Sequence, residues 1–132
     1  MLSSDSTDMP ERRKTIVLVD DDLVNLKVGR ITLGGKYNVF TMLSAGKMFS
    51  LLEKHVPDLI LLDIVMPEMD GFEAIKILKS NASTRDIPVI FLTGAYTETK
   101  ELQGRELGAV DFITKPFYPS QLLERIDEVL GK

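Results

Sequence analysis

Five residues whose side chains suit joint chemistry each stand just after a short apolar segment of this 132-residue chain. Asp20 and Asp21 follow the first segment, and Asp63, Thr93 and Lys115 follow three later ones. Several carboxylates can share a small pocket only if a cation compensates their charge, and Mg²⁺ prefers oxygen ligands of this kind. Aspartate can also attack phosphorus, while a hydroxyl and an ammonium can bind phosphoryl oxygens. These residue types therefore predict metal-assisted phosphoryl transfer.

The segments that precede these residues have the composition of β-strands, being short and rich in apolar and β-branched side chains. We predict strands over residues 15–19, 37–41, 58–62, 88–92 and 110–114. Segments of helical length separate them, and we predict helices over residues 23–33, 45–54, 72–79, 97–107 and 119–130. This alternation predicts an α/β fold with a parallel sheet, in which the carboxyl ends of the strands line the functional crevice.

Apolar spacing along the predicted helices indicates which side chains face the core. In the first helix we expect Leu26, Ile31 and Leu33 to lie near one buried face. In the fourth helix, which is more polar, we expect Leu102 and Leu107 to be the anchors.

The composition is that of one globular domain and excludes several kinds of site. There are 16 basic and 20 acidic residues, giving a net charge of −4, so no positive field attracts nucleic acid or an anionic membrane. The chain has no cysteine, which excludes disulfides and thiolate zinc sites. No apolar run approaches the ~20 residues of a membrane span. We interpret residues 1–13 as a polar, flexible leader and residues 14–132 as the domain.

Four stretches of the sequence together resemble the receiver domain of two-component response regulators. They are IVLVDDD (16–22), PDLILLDIVMPEMDG (57–71), PVIFLTG (88–94) and GAVDFITKPF (108–117). The resemblance covers about residues 14–131. It implies a flavodoxin-like, doubly wound α/β fold whose five parallel strands follow the order 2-1-3-4-5. That order would bring the reactive residues to one edge of the sheet.

The resemblance also implies a role for each acidic residue. Asp63 matches the phosphoacceptor, while Asp20 and Asp21 match an acidic pair that binds Mg²⁺ together with Asp63. The backbone carbonyl of Val65 would be a further metal ligand. Asp22 lies just outside the pair, and we assign it no ligand role.

Three further positions match the part of the family that changes conformation. Thr93 matches the switch hydroxyl and Lys115 the lysine that pairs with the phosphoryl group. A cis peptide bond is expected between Lys115 and Pro116. Phe112 stands three residues before the lysine, where the resemblance implies a switch aromatic.

The partners implied are a sensor histidine kinase or a histidine phosphotransfer protein, docked against the first helix, and an effector domain or protein downstream. The resemblance implies a cytoplasmic signalling domain that catalyses only its own phosphorylation and dephosphorylation. It implies no direct binding to nucleic acid or membrane. Charged residues of the face that would change are candidates to pair across a homodimer, namely Asp111, Glu124 and Arg125.

Two other functions remain open from the residues alone. A phosphatase with an aspartyl-phosphate intermediate would use Asp63 as its nucleophile, but such enzymes generally need an acid/base carboxylate where Val65 stands. A flavodoxin-like nucleotide or flavin module would need a loop rich in Gly, Ser or Thr after the first strand. This chain has three aspartates there, which would repel phosphate in the absence of metal.

Overall fold

The computed structural model describes residues 13–131, so most of the predicted leader lies outside it. This part of the chain forms a five-stranded parallel sheet whose strands, counted along the chain, lie in the order 2-1-3-4-5, which confirms the expected topology. The strands are β1 (Thr15–Val19), β2 (Asn38–Met42), β3 (Leu59–Leu62), β4 (Val89–Thr93) and β5 (Asp111–Thr114). The helices are α1 (Leu23–Gly34), α2 (Ala45–Leu52), α3 (Gly71–Ser80), α4 (Glu98–Glu106) and α5 (Pro119–Leu130).

The sheet separates two apolar cores, which explains the continuous apolar runs of the central strands. Along β3, Ile60 and Leu62 point into the core shared with α2 and α3, while Leu59 and Leu61 point into the core under α1 and α5. All four side chains are completely buried. Burial of one such side chain contributes roughly 1.5–3 kcal/mol to folding, so β3 is held firmly in place beside the site.

In α1 the buried face differs from the one predicted. Leu26 and Leu33 are buried as expected, but Ile31 is 74% exposed and Gly29 lies on the buried face instead. Ile31 comes five residues after Leu26, which places it about 140° away around the helix. It therefore faces solvent, together with other aliphatic residues of α1.

In α4 the prediction that Leu102 anchors the helix is also wrong, since its side chain is 63% exposed. The one buried residue of this helix is Gly104. A Cβ atom at Gly104 would lie 3.0 Å from the ring of Phe91, so the helix backbone itself packs on the aromatic core. Leu107 is half-buried against the same core and does act as an anchor.

The beginnings of two helices are fixed by aspartates next to the functional edge of the sheet. Asp22 accepts a hydrogen bond from the Val24 amide at 2.8 Å and caps α1, which gives it a structural role. Asp70 and Glu73 form a reciprocal capping box at the start of α3. No helix within residues 13–131 combines the length and apolar character needed to cross a bilayer.

Candidate functional site

The carboxyl ends of four neighbouring strands bring the predicted residues together. Asp20 follows β1, Asp63 follows β3, Thr93 ends β4 and Lys115 follows β5. Asp20, Asp63 and Thr93 are buried, although they are polar. Asp21 is exposed beside them at the mouth of the site. The juxtaposition expected from strand order is therefore present.

Lys115 lies between the two buried carboxylates. Its Nζ donates to Asp20 Oδ2 at 2.6 Å and to Asp63 Oδ2 at 3.4 Å. The second oxygen of Asp63 accepts a bond from the Ile64 amide at 2.7 Å, and that of Asp20 accepts one from the Asp22 amide at 2.9 Å. One ammonium thus serves two carboxylates and lies closer to Asp20.

The electrostatic balance at Asp63 is unfavourable to its ionised form. Burial raises the pKa of Asp63 above its usual value, and the neighbouring charge of Asp20 raises this pKa further. The charge of Lys115 and a hydrogen bond from Thr93 act in the opposite direction but do not cancel the effect of burial on the pKa. The site therefore has too little positive charge for its carboxylates.

A bound divalent cation would supply the positive charge that these carboxylates lack. Oxygen atoms of Asp20, Asp21 and Asp63 lie within 4.8 Å of one another, and within residues 13–131 the Lys115 ammonium is the one cation paired with them. The donors are all oxygens, which is the chemistry that Mg²⁺ selects. A ligand role for the Val65 carbonyl stays a prediction.

The proposed switch residues lie inward in this structure. Thr93 Oγ1 accepts a bond from the Ala95 amide at 3.1 Å, and its side chain is buried. Phe112 is only 6% exposed, with its ring centroid 5.9 Å from that of Phe91 and 5.7 Å from that of Tyr96. The ring of Phe112 is therefore packed inward, against Phe91 and Tyr96.

The structure bears on two further predictions made from the sequence. The cis peptide bond between Lys115 and Pro116 is confirmed. Asp111, a candidate to pair across a homodimer, forms ion pairs within the chain, with Arg125 at 2.7 Å and with Arg105 at 3.2 Å. The homodimer itself stays a prediction.

Sequence reasoning missed Asn25, whose Nδ2 donates to Asp20 Oδ2 at 3.2 Å. A signal was present, because Asn25 precedes Gly29 by one helical turn and so shares the buried face of α1. A polar residue on a buried helix face is more informative than an exposed apolar one. The wrong choice of face for α1 concealed this signal.

The family model for the response regulator receiver domain matches residues 16–127. A probable cyclic di-GMP phosphodiesterase of Vibrio cholerae is 42% identical over 112 residues, which cover 85% of this chain and 25% of that protein. The chain thus spans a quarter of the length of this curated relative.

Solved structures agree with the family match. A putative response regulator of Chloroflexus aurantiacus has a TM-score of 0.86 at 28% identity, covering 92% of this chain and all of that one. The receiver domain of a sensor histidine kinase from Pseudomonas aeruginosa has a TM-score of 0.82 at 26% identity, with 92% and 100% coverage. That structure has a magnesium ion coordinated in its active site cleft. Both the sequence match and the fold lead to one conclusion: the chain belongs to the response regulator receiver domain family.

Proposed function

We propose that Asp63 accepts the phosphoryl group that controls this receiver domain, which is a phosphorylation-activated signalling switch. The observation that carries the assignment is a buried carboxylate with raised pKa, next to one lysine and a second buried carboxylate. Such an arrangement suits a site that is completed by a metal and a phosphoryl group. Asp20 and Asp21 are the other carboxylates that would hold Mg²⁺.

In the proposed reaction a carboxylate oxygen of Asp63 attacks phosphorus. An oxygen–phosphorus bond forms as the bond from phosphorus to the donor's imidazole nitrogen breaks, and the bonding electron pair stays on that nitrogen. Bound Mg²⁺ supplies neutralisation of the phosphoryl charge. Lys115 Nζ, which already contacts Asp63, donates to one phosphoryl oxygen, and the Thr93 hydroxyl donates to another.

Intact-mass spectrometry of the full chain incubated with acetyl phosphate tests this assignment. We expect one phosphoryl adduct that requires Mg²⁺ and is absent from the Asp63→Asn variant. Asp86→Asn, the same change in an exposed loop, is the matched control and should be phosphorylated like the unmodified chain. An adduct that persists in Asp63→Asn at the wild-type level would remove Asp63 from its proposed role.

The arrangement of Thr93 and Phe112 supports a population shift as the response to phosphorylation. Thr93 and Phe112 lie inward in this structure, and phosphorylation would favour that arrangement over one in which Phe112 points outward. A complete shift from 1:99 to 99:1 needs ~5.5 kcal/mol of preference for one state. The direct bond from Thr93 to the phosphoryl group would supply part of this preference.

The exposed surface of α1 supports the proposal that a histidine kinase or phosphotransfer protein docks on this helix, in the cytoplasm. Four aliphatic side chains of α1 are exposed beside the site: Leu23, Val24, Val28 and Ile31. Val28 also borders a cavity of about 430 Å³ that reaches Asp20 and Lys115. An exposed apolar group of this size next to reactive residues is typical of a protein-binding surface.

Docking on α1 is tested separately from the chemistry. We expect Ile31→Asp to slow phosphoryl transfer from a phosphorylated histidine phosphotransfer protein at least tenfold, while transfer from acetyl phosphate stays unchanged. Ile77→Asp places the same charge on the exposed side of α3 and should affect neither donor. Equal transfer from the protein donor to Ile31→Asp and to the unmodified chain would place docking elsewhere.

A further inference from the structure

We propose that Asn25 is a positioning residue of this site, whose amide holds the Asp20 carboxylate in the orientation that binds a divalent cation. The proposal rests on the proposed function, because it concerns the same acidic cluster. It adds a neutral residue of α1 to a site whose other parts all follow the strands of the sheet.

The geometry around Asp20 supports this role. Asn25 Nδ2 and Lys115 Nζ both donate to Asp20 Oδ2, at 3.2 and 2.6 Å. The Asp22 amide donates to Asp20 Oδ1 at 2.9 Å. Three donors thus surround a carboxylate that is only 3% exposed, and together they fix its rotation.

The chemical type of Asn25 is suited to a site that must bind a cation. A second lysine or arginine would also fix Asp20, but its charge would repel Mg²⁺. The amide orients the carboxylate without adding positive charge. Residues that orient metal ligands from outside the coordination sphere commonly change metal affinity 10–100-fold when they are replaced.

The backbone that carries Asn25 is held in place. Asp22 caps α1 through the Val24 amide, one residue before Asn25, and Leu26 is buried against the sheet one residue after it. The donor therefore approaches Asp20 from a fixed position. Asn25 itself is half-buried at the edge of the cavity beside α1, so its side chain can be replaced without opening the core.

Calorimetric titration of the full chain with Mg²⁺, in the absence of any phosphodonor, tests the proposal. Asn25→Leu keeps a similar size but removes the donor, and we expect about tenfold weaker Mg²⁺ binding with little change in the thermal midpoint. Asn38→Leu is the matched control, since Asn38 is exposed at the opposite end of the sheet. It should leave Mg²⁺ affinity unchanged.

A conservative variant guards against a general structural effect. Asn25→Gln keeps an amide donor one methylene further out, and we expect it to recover part of the affinity lost in Asn25→Leu. Wild-type affinity in Asn25→Leu, or no recovery in Asn25→Gln, would overturn the proposal. A wild-type chain that binds no Mg²⁺ would overturn it as well.

Phosphorylation by acetyl phosphate gives a second readout. If Asn25 acts only through the cation site, the slower phosphorylation of Asn25→Leu should return to the wild-type rate at saturating Mg²⁺. A deficit that persists there would mean direct contact with the phosphoryl group and would overturn the positioning role. If the wild type takes no phosphoryl group, the proposed function fails while the Mg²⁺ titration still tests Asn25.

Discussion

The two ends of the sheet differ in how far their charged side chains are compensated by partners. At the carboxyl end, Asp20 and Asp63 are buried and share the single ammonium of Lys115. Burial raises the pKa of Asp63, and the charge of Lys115 lowers this pKa too little to cancel the effect of burial. The ionised form of Asp63 is therefore electrostatically unfavourable in the folded protein.

At the amino end, charges are matched by partners of the right type. The Thr15 amide donates to Asp58 Oδ2 at 2.7 Å, and the Asp58 amide donates back to the Thr15 carbonyl at 2.8 Å. The Tyr37 hydroxyl donates to Asp127, which also accepts a bond from Lys36 at 2.9 Å. These polar groups stabilise the fold through contacts with one another.

This difference separates function from stability within one sheet. A buried charge that nothing compensates costs several kcal/mol, so such a group either loses its charge or is paired with a counter-charge, and at the carboxyl end a bound cation can supply that counter-charge. Substitutions at the carboxyl end should therefore change phosphorylation and stability in different directions. Substitutions at the amino end should change stability alone.

The largest effect is expected where a helix approaches the carboxyl end most closely. A Cβ atom at Gly71, the first residue of α3, would lie 2.4 Å from the Asp63 carbonyl oxygen and 2.9 Å from Ile64 Cα. Gly71→Ala should therefore displace α3, lower the free energy of unfolding by about 2–3 kcal/mol and slow phosphorylation. Urea denaturation and acetyl phosphate labelling measure the two effects.

Gly34→Ala is the control for this substitution. Gly34 ends α1 near the amino end of the sheet, and a Cβ there would meet no atom within 4 Å. The change should leave stability equal or raise it by up to about 1 kcal/mol. Equal losses in the two variants would contradict the close approach at Gly71.

The next effect is expected at the amino end, from loss of one buried hydrogen bond. Tyr37→Phe removes the donor to Asp127 and should cost about 1.5–2 kcal/mol, while phosphorylation of Asp63 stays at the wild-type rate. Burial and the bond to Asp127 raise the pKa of Tyr37 above its usual value. The contribution is therefore complete below about pH 10 and is lost as pH rises beyond it.

Stability curves from pH 8 to 11 measure this dependence. The unmodified chain should lose stability more steeply than Tyr37→Phe above about pH 10. Parallel curves for the two proteins would show that the hydroxyl contributes nothing to the alkaline transition.

A smaller effect of opposite sign is expected for Asp63→Asn without Mg²⁺. A raised carboxyl pKa means that the protonated form is favoured in the fold, so stability from this group falls as pH rises through the folded pKa. Asparagine is neutral throughout. The variant should be more stable than the unmodified chain at pH 7, with a higher Tm, and the gain should vanish towards about pH 4.

Thermal melts of both proteins at pH 4 and pH 7 test this sign. Asp58→Asn is the comparison at the amino end, where the carboxylate accepts a backbone bond, and it should lower Tm. Destabilisation by Asp63→Asn at pH 7 would mean that the carboxyl end is electrostatically satisfied without metal.

The smallest effect is expected for the exposed ion pair at the amino end. The Lys36 side chain is 49% exposed, and its bond to Asp127 is accessible to salt. Lys36→Met should cost no more than about 0.5 kcal/mol, and the loss should disappear in 1 M salt. A cost above 1 kcal/mol, measured by urea denaturation, would show that Lys36 supports the Tyr37–Asp127 bond.

Most elements could be predicted because local signals agree with the fold. The apolar runs of the central strands and the helical spacing of α5 are strong patterns, and the structure places both within one residue of the prediction. Where the pattern was weak, as in α1 and α4, the buried face was wrong. Gly104 packs on Phe91 through its backbone, and a glycine leaves no apolar signal in the sequence.

The sequence by itself predicted that Asp20, Asp63, Thr93 and Lys115 meet at the site, since parallel strands bring their carboxyl ends to one edge and the resemblance to receiver domains implies the strand order. Only the tertiary structure decided how their charges are shared. It places Lys115 nearer to Asp20 than to Asp63, buries Phe112 inward and brings Asn25 to Asp20. These outcomes depend on contacts between residues up to 95 positions apart, and only packing fixes such distances.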